Sequence, residues 1–217
     1  MKKETIQLLE NFSSINSGIL IRAGNVIRTI SVSRTVFASA VVDEAFPREF
    51  AIYDLNEFLK TLALFQDPEV EYTDTFIAIK GDGRSVKYHY SAPTVVVSPP
   101  DKNPAEIQDP LLSFKLSETM FENIMKAAGV LRLKEVRFDG ENKEILVFNK
   151  DNSGNEYRIE LPADAEGEGS ALLSINNLKM LSDDYNVVVG EKSVQFKSAS
   201  GDNLLYVVGR EAEADGA

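Results

Sequence analysis

The chain has 217 residues, 43% of them hydrophobic and 26% charged, the balance of an ordinary soluble globular protein with material for one large domain or two small ones. No apolar run is long enough to span a bilayer, so no membrane partner is expected, and the absence of cysteine excludes disulfides and thiolate sites. Acidic residues outnumber basic ones 34 to 23, a formal charge of −11, which argues against a protein that holds nucleic acid through summed charge.

Met1-Lys2-Lys3 passes directly into a mixed helix, with no signal peptide expected. From Glu4 to Ser13 the spacing of Leu8, Leu9, Phe12 and Ile15 makes one apolar stripe. Asn16–Arg22 and Val26–Val32 read as strands joined in a tight turn at Gly24-Asn25, and Thr35–Val42 and Phe50–Tyr53 as two more. The second helix has the clearest signal. Asp54 with Glu57 three residues on forms a capping box, and Leu55, Phe58, Leu59, Leu62 and Phe65 follow on one face until Asp67-Pro68. Val70–Thr73, Phe76–Lys80 and Ser85–Ser91 are strands, the last two joined through Gly81-Asp82-Gly83, and Thr94–Val97 adds a β-branched run.

Five of the eight prolines then fall between Pro93 and Pro110. Proline fixes φ and lacks a backbone donor, so residues 99–110 read as a stiff connector between an N-terminal domain, 1–98, and a C-terminal domain, 111–217. Beyond it Leu112–Leu116 is a strand, and Ser117 caps a helix bearing Phe121, Ile124, Met125 and Ala128. Glu135–Phe138, Glu144–Asn149 and Glu156–Leu161 are strands separated by turn-rich loops. Acidic, glycine-rich Ala165–Gly169 is expected to be mobile. Leu172–Ile175 leads to a short fourth helix capped by Asn176, through Leu178 and Leu181. Asn186–Val189, Ser193–Lys197 and Leu204–Gly209 close the fold, and Glu211–Ala217 is expected to fray. Each half thus predicts two helices on antiparallel sheets, an α+β architecture used twice.

No catalytic constellation emerges, and no cofactor or metal is expected. His89, the sole histidine, has no nucleophile motif near it and reads as an ordinary strand residue. Asp151-Asn152-Ser153-Gly154-Asn155-Glu156 spaces oxygen ligands as calcium sites do but lacks the full loop, so a β-turn is the better reading. Gly81-Asp82-Gly83 has neither the P-loop lysine nor the dinucleotide glycine pattern. Lys2, Lys3, Lys60, Lys126, Arg132 and Lys179 fall on or beside the four predicted helices. They make either solvated helical faces or, if the helices share one surface, a dilute positive track that meets phosphates weakly and without sequence preference.

Leu8-Leu9-Glu10-Asn11-Phe12-Ser13-Ser14-Ile15-Asn16-Ser17-Gly18-Ile19 and Ala51-Ile52-Tyr53-Asp54-Leu55-Asn56-Glu57-Phe58-Leu59 closely resemble matching segments of the tailed-bacteriophage sliding clamp, the viral counterpart of the PCNA ring and the bacterial β clamp. The similarity extends in element order over most of the chain, including Asn177-Leu178-Lys179-Met180. The resemblance implies a DNA-clamp fold in which three subunits close head to tail into a homotrimeric six-domain ring with helices facing the hole. Such a ring encircles double-stranded DNA, tethers the replicative DNA polymerase, is placed by an ATP-dependent clamp loader and can serve late-transcription proteins, all in the cytoplasm of an infected bacterial host.

By position, the resemblance makes Lys3, Lys126 and Lys179 the foremost DNA-facing residues. Gly129 and Glu10 stand where further bases would be expected, implying a weakly positive bore. Val41, Phe46, Pro47, Val96, Val97, Pro99, Leu205, Tyr206 and Val208 are expected at a pocket for partner tails beside the connector, with core packing the alternative for each. Ring contacts are assigned to edge strands Ser85–Ser91, with Val86, Tyr88 and Tyr90, and Tyr157–Leu161, with Tyr157, Ile159 and Leu161. The other reading is an acidic DNA mimic or other soluble interaction protein, which should carry acidic helical faces. Lys60 and Lys126 argue against it.

Overall fold

The computed structural model describes residues 1–151, 154–201 and 203–212, and the chain divides into two compact units, Met1–Asn103 and Pro104–Ala217. In the first unit α1 (Lys3–Ile15) buries Thr5, Leu9, Phe12 and Ile15. Its N-terminus has no side-chain cap of its own. Instead Glu44, from β3 (Val36–Phe46), accepts the Lys2 backbone N–H and the Thr5 hydroxyl, setting a carboxylate at the positive end of the helix. Burial opposes the charge on Glu44, but these two donors prevail and hold its carboxyl below the usual range.

At the other end of α1, Asn16 is a three-way junction. It is 6% exposed. Its amide nitrogen donates to the carbonyls of Ile30 at 2.9 Å and Val97 at 2.8 Å, and its oxygen accepts from the Gly18 N–H at 3.1 Å. One side chain therefore ties the helix end to a strand and to Val97, two residues before the connector.

The turn expected at Gly24-Asn25 is not a hairpin between neighbours. β1 (Ile19–Ile21) pairs with β4 (Phe50–Ile52), whereas β2 (Gly24–Ile30) pairs with β3. Gly24 at φ +110 opens β2 with a register shift, so the chain turns a corner into a different ladder. α2 (Leu55–Leu62) follows with Leu55, Phe58, Leu59 and Leu62 buried, and Asp54 caps it by accepting from the Glu57 N–H at 3.0 Å. It packs against α1, where the Ser13 hydroxyl donates to Asn56 Oδ1 at 3.0 Å. β5 (Glu69–Tyr72), β6 (Phe76–Gly81) and β7 (Arg84–His89) form a meander. Its second turn places Asp82 at φ 53 and Gly83 at φ 72, the mirror-image geometry that fits strand twist. The β-branched run after it forms a 3-10 turn at Pro93–Val95 rather than a strand.

In the second unit β8 (Leu112–Leu116), β13 (Tyr185–Val189), β14 (Ser193–Ser198) and β15 (Leu204–Gly209) pair in the order β8-β13-β14-β15. β11 (Tyr157–Glu160), β10 (Glu144–Phe148), β9 (Glu135–Asp139) and β12 (Ser170–Ser174) pair in that order as a second sheet. α3 (Glu118–Leu131) buries Phe121, Ile124 and Ala128, and the Ser117 hydroxyl caps it through the Met120 N–H. Around fully buried Tyr185, edge-on contacts to Phe121, Phe196 and Tyr206 build an aromatic core.

Two expectations fail here. The fourth helix is only a 3-10 turn, Ile175–Asn177. The chain beyond it is held by side chains, since Tyr185 Oη donates to the Leu181 carbonyl at 2.6 Å and the Leu181 N–H donates to Tyr206 Oη at 3.3 Å. Those contacts take the backbone groups that a helical ladder would use. The acidic loop is anchored as well. Ser113 and Glu166 exchange backbone hydrogen bonds at 2.8 Å, and Gly169 donates to Leu111 at 2.9 Å. A Cβ on Gly140, Gly167 or Gly169 would collide with backbone atoms, and Gly167 has φ +100, so glycine there serves close approach rather than motion. The calcium-like segment at Asp151 includes Asn152 and Ser153, and the tail includes 213–217; those positions lie outside the described residues.

Candidate nucleic-acid and partner interface

The apolar stripes of α1, α2 and α3 face inward, which leaves Lys3, Lys60 and Lys126 exposed on the opposite faces. They share those faces with Glu4, Glu10, Glu57, Glu118 and Glu122, all exposed. The helical surfaces are therefore mixed rather than basic. Arg132 is exposed in the left-handed conformation that ends α3, at φ 56, and Lys179 is exposed just past the 3-10 turn. Lys2 is held by a carboxylate: its ammonium lies 2.6 Å from Asp43 Oδ2, and that bond raises its pKa. Lys2 is thereby committed to anchoring α1, and its charge is met within the chain.

The predicted pocket residues separate by burial. Phe46 is 2% exposed, packed edge-on against Phe50 and Tyr72, and Val96 is buried with Leu20 and Ala51. Tyr206 and Val208 are wholly buried in the second unit. These four are core: Phe46 ends β3 and Tyr206 and Val208 lie on β15 turned away from solvent, while Val96 is buried just past the 3-10 turn. Pro99 is buried also, while Val97 and Leu205 are half-buried and Pro47 is exposed. Val41 remains 39% exposed, facing Val26 across the β2–β3 ladder.

Sequence reasoning missed what holds the connector. Arg22 and Arg28 have side chains only 23% and 15% exposed. Arg22 Nη2 donates to the Pro99 carbonyl at 3.3 Å and Arg28 Nε donates to Asn103 Oδ1 at 2.9 Å. Asp101 lies 3.5 Å from Arg22 Nε and 3.6 Å from Arg28 Nη1. On the second unit Gln195 Nε2 donates to the Ala105 carbonyl at 2.7 Å, and Ile107 fills the space that a side chain on Gly190 would need. The signal available was Arg28 two residues past Val26 in an alternating strand, with Arg22 just upstream, opposite an acid in a proline-rich strap.

β7 and β11 are the outermost strands of their sheets. Along β7, Val86 and Tyr88 are half-buried while Ser85, Lys87 and His89 are exposed. Tyr157 and Ile159 are half-buried and Arg158 and Glu160 exposed along β11. Tyr90 and Leu161 lie just past the two strands, Tyr90 stacked on Phe50 and Leu161 buried. Burial, reinforced by Glu57 and Asp54, pushes the Tyr88 phenol up to about 12, and the neutral hydroxyl donates to the Asp54 carbonyl at 3.1 Å. His89 lies with its ring 5.7 Å from that of Phe76. Among the described residues no group of three or more side chains could hold a metal ion.

A family model described as DNA polymerase processivity factor matches residues 2–94. The sliding clamp of Vibrio phage KVP40 is 30% identical over 221 residues, covering 98% of this chain and 99% of the relative. That of Enterobacteria phage T4 is 28% identical over 224 residues, covering 99% and 97%. Among solved structures, a PCNA2–PCNA3 complex from Sulfolobus tokodaii matches with a TM-score of 0.69 at 14% identity, covering 96% of each chain. A. fulgidus PCNA with the C-terminal region of FEN-1 bound matches at 0.68 and 12% identity, covering 97% of this chain and 96% of that one.

Proposed function

The chain belongs to the sliding-clamp family of phage DNA polymerase processivity factors, and from that premise we propose that three copies close head to tail around duplex DNA. β7 of one copy pairs with β11 of the next, uniting half-buried Val86 and Tyr88 with Tyr157 and Ile159 and removing two open sheet edges. The observation that carries this reading is the whole-length similarity to phage clamps, together with an outermost strand in each unit.

The exposed faces of α1, α2 and α3 are turned toward DNA. Lys3, Lys60 and Lys126, with Arg132 and Lys179 nearby, meet phosphates one at a time, and the intervening glutamates keep the net attraction small. Retention comes from enclosure, so a near-neutral lining suits sliding. The chain performs no chemistry of its own. An ATP-dependent loader opens and places the ring in the cytoplasm of the infected host. The polymerase, and by the same route late-transcription proteins, dock short tails beside the connector. A. fulgidus PCNA with the C-terminal region of FEN-1 bound supports docking by a chain end.

Sedimentation equilibrium should give a mass of three chains, and the protein should lengthen products of its polymerase on primed circular DNA. Replacing Lys3, Lys126 and Lys179 together by glutamate should leave the trimer intact and hinder loading or sliding. Unchanged processivity in that variant would remove these residues from the DNA-facing set. A stable monomer that blocks polymerase from DNA would favour the DNA mimic.

A further inference from the structure

The arginine pair on β2 and beside it is held without being filled. Each guanidinium offers five N–H donors. Arg22 makes one hydrogen bond, to Pro99, and Arg28 one, to Asn103. The carboxylates nearby stand off: Asp101 at 3.5 and 3.6 Å, and Glu49 at 3.8 Å from Arg22 Nε. A well-seated guanidinium–carboxylate pair closes to about 2.7–2.9 Å, commonly through two parallel bonds. Asp101 is 70% exposed, while the arginines it faces are 23% and 15% exposed. Asp101, loosely placed and solvent-facing on a strap with no regular structure, is thus the one anion common to both largely buried cations, with Glu49 farther off beside Arg22 alone.

The surroundings define the ligand. Arg28 and Val26 lie two residues apart on one face of β2, where Ser39 faces Arg28 and exposed Val41 faces Val26. Residues two apart on a strand are about 7 Å from each other. An apolar step next to paired guanidiniums fits an extended peptide that sets an apolar side chain on Val26 and Val41 and a carboxylate at the arginines.

We propose that Arg22 and Arg28 form a carboxylate socket for the tail of a partner protein, occupied in the free chain by Asp101 of the connector, which the incoming carboxylate displaces. This deepens the reading that partner tails dock beside the connector, and rests on it. The carboxylate can be an acidic side chain or the end of the partner's chain. In either case docking frees the strap from β2, so occupancy and connector mobility are linked.

The test is fluorescence anisotropy on the full-length protein, probed with a labelled peptide from the C-terminus of the polymerase it stimulates. The peptide is prepared as the free acid, as the C-terminal amide, and with every Asp or Glu changed to its amide. Asp101→Asn, at an exposed site that should not disturb folding, is expected to tighten the acid form about three- to tenfold by removing the competitor. Arg22→Gln with Arg28→Gln should weaken it about tenfold and abolish the difference between peptide forms. Whichever amide form loses affinity on the wild-type protein identifies the source of the carboxylate. Equal binding of all peptide forms, or an Asp101→Asn variant that binds as the wild type does, overturns the socket while leaving tail docking intact. No binding of any form by any variant, with polymerase stimulation retained, refutes tail docking at this face and the socket with it. Displacement of the peptide by duplex DNA from wild type but not from the arginine variant would assign the pair to phosphate and overturn the proposal.

Discussion

Replacing Asn16 removes three hydrogen bonds at one buried point. In Asn16→Ala the carbonyls of Ile30 and Val97 and the N–H of Gly18 lose their partner. A buried polar group left unpaired costs about 1–3 kcal/mol, and water entering the small space left by the side chain would recover part of that. About 3–5 kcal/mol is the expected loss. At roughly 2–4 °C per kcal/mol for a chain of this size, Tm should fall by about 10 °C. Asn16→Asp makes a sharper test. A carboxylate cannot donate, so it faces two carbonyls with like partial charge, and its pKa in the folded state must rise. A group with a raised folded pKa gains stability as pH falls through that value, because the protonated acid regains one donor. Urea unfolding at fixed protein concentration, at about pH 5 and pH 8, should therefore show Asn16→Asp less destabilised at the lower pH relative to wild type. Exposed Gln7→Ala, on the outer face of the same helix, serves as the control, with a change within about 0.5 kcal/mol. A loss below about 1 kcal/mol for Asn16→Ala, or an Asp variant indifferent to pH, would refute the junction.

Gly167→Ala should destabilise by about 2 kcal/mol or more, since φ +100 and the Leu111 backbone both oppose a side chain; thermal unfolding checks it, and an unchanged Tm would mean the loop yields. Phe46→Ala should cost about 3–5 kcal/mol as a core truncation, whereas exposed Val41→Asp should leave Tm within about 2 °C but impair polymerase stimulation, which a primer-extension assay reads. Glu44 has a depressed pKa, so the stability it contributes is present above the usual carboxylate range and lost as pH falls toward its folded value. Glu44→Gln should accordingly flatten the acid limb of an unfolding-versus-pH curve, and superimposable curves would count against the α1 anchor.

Local chemistry made the second helix and the β6–β7 hairpin legible: an Asp54 cap with one-face apolar spacing, and two adjacent residues suited to φ > 0. The failures have a common origin in long-range contacts. Asn176-Asn177-Leu178 looks like a capped helix until Tyr185 and Tyr206, distant in sequence, claim the backbone of Leu181. Gly24 looks like a hairpin turn because sequence cannot say that β1 will find β4. Apolar residues near the connector could not be sorted into pocket and core, since Phe46 and Val41 both sit in alternating runs, and only register shows which face is covered. The lysines were visible as residues. That Lys2 is spent on Asp43 was not, because the partner lies 41 positions away.

The closure of the Gly140–Gly167–Gly169 cluster onto Leu111 has an electrostatic consequence. Charge on a floppy tether is blurred, because its field at any outside point averages over many positions. Asp164, Glu166 and Glu168 sit instead on a backbone clipped to Ser113 and Leu111, and all three are exposed. They present a stationary ridge of negative potential whose reach is limited by dissolved ions, about 10 Å at 0.1 M salt. A polyanion drifting up to that side would be turned away there, and the strength of the rebuff would follow ionic strength.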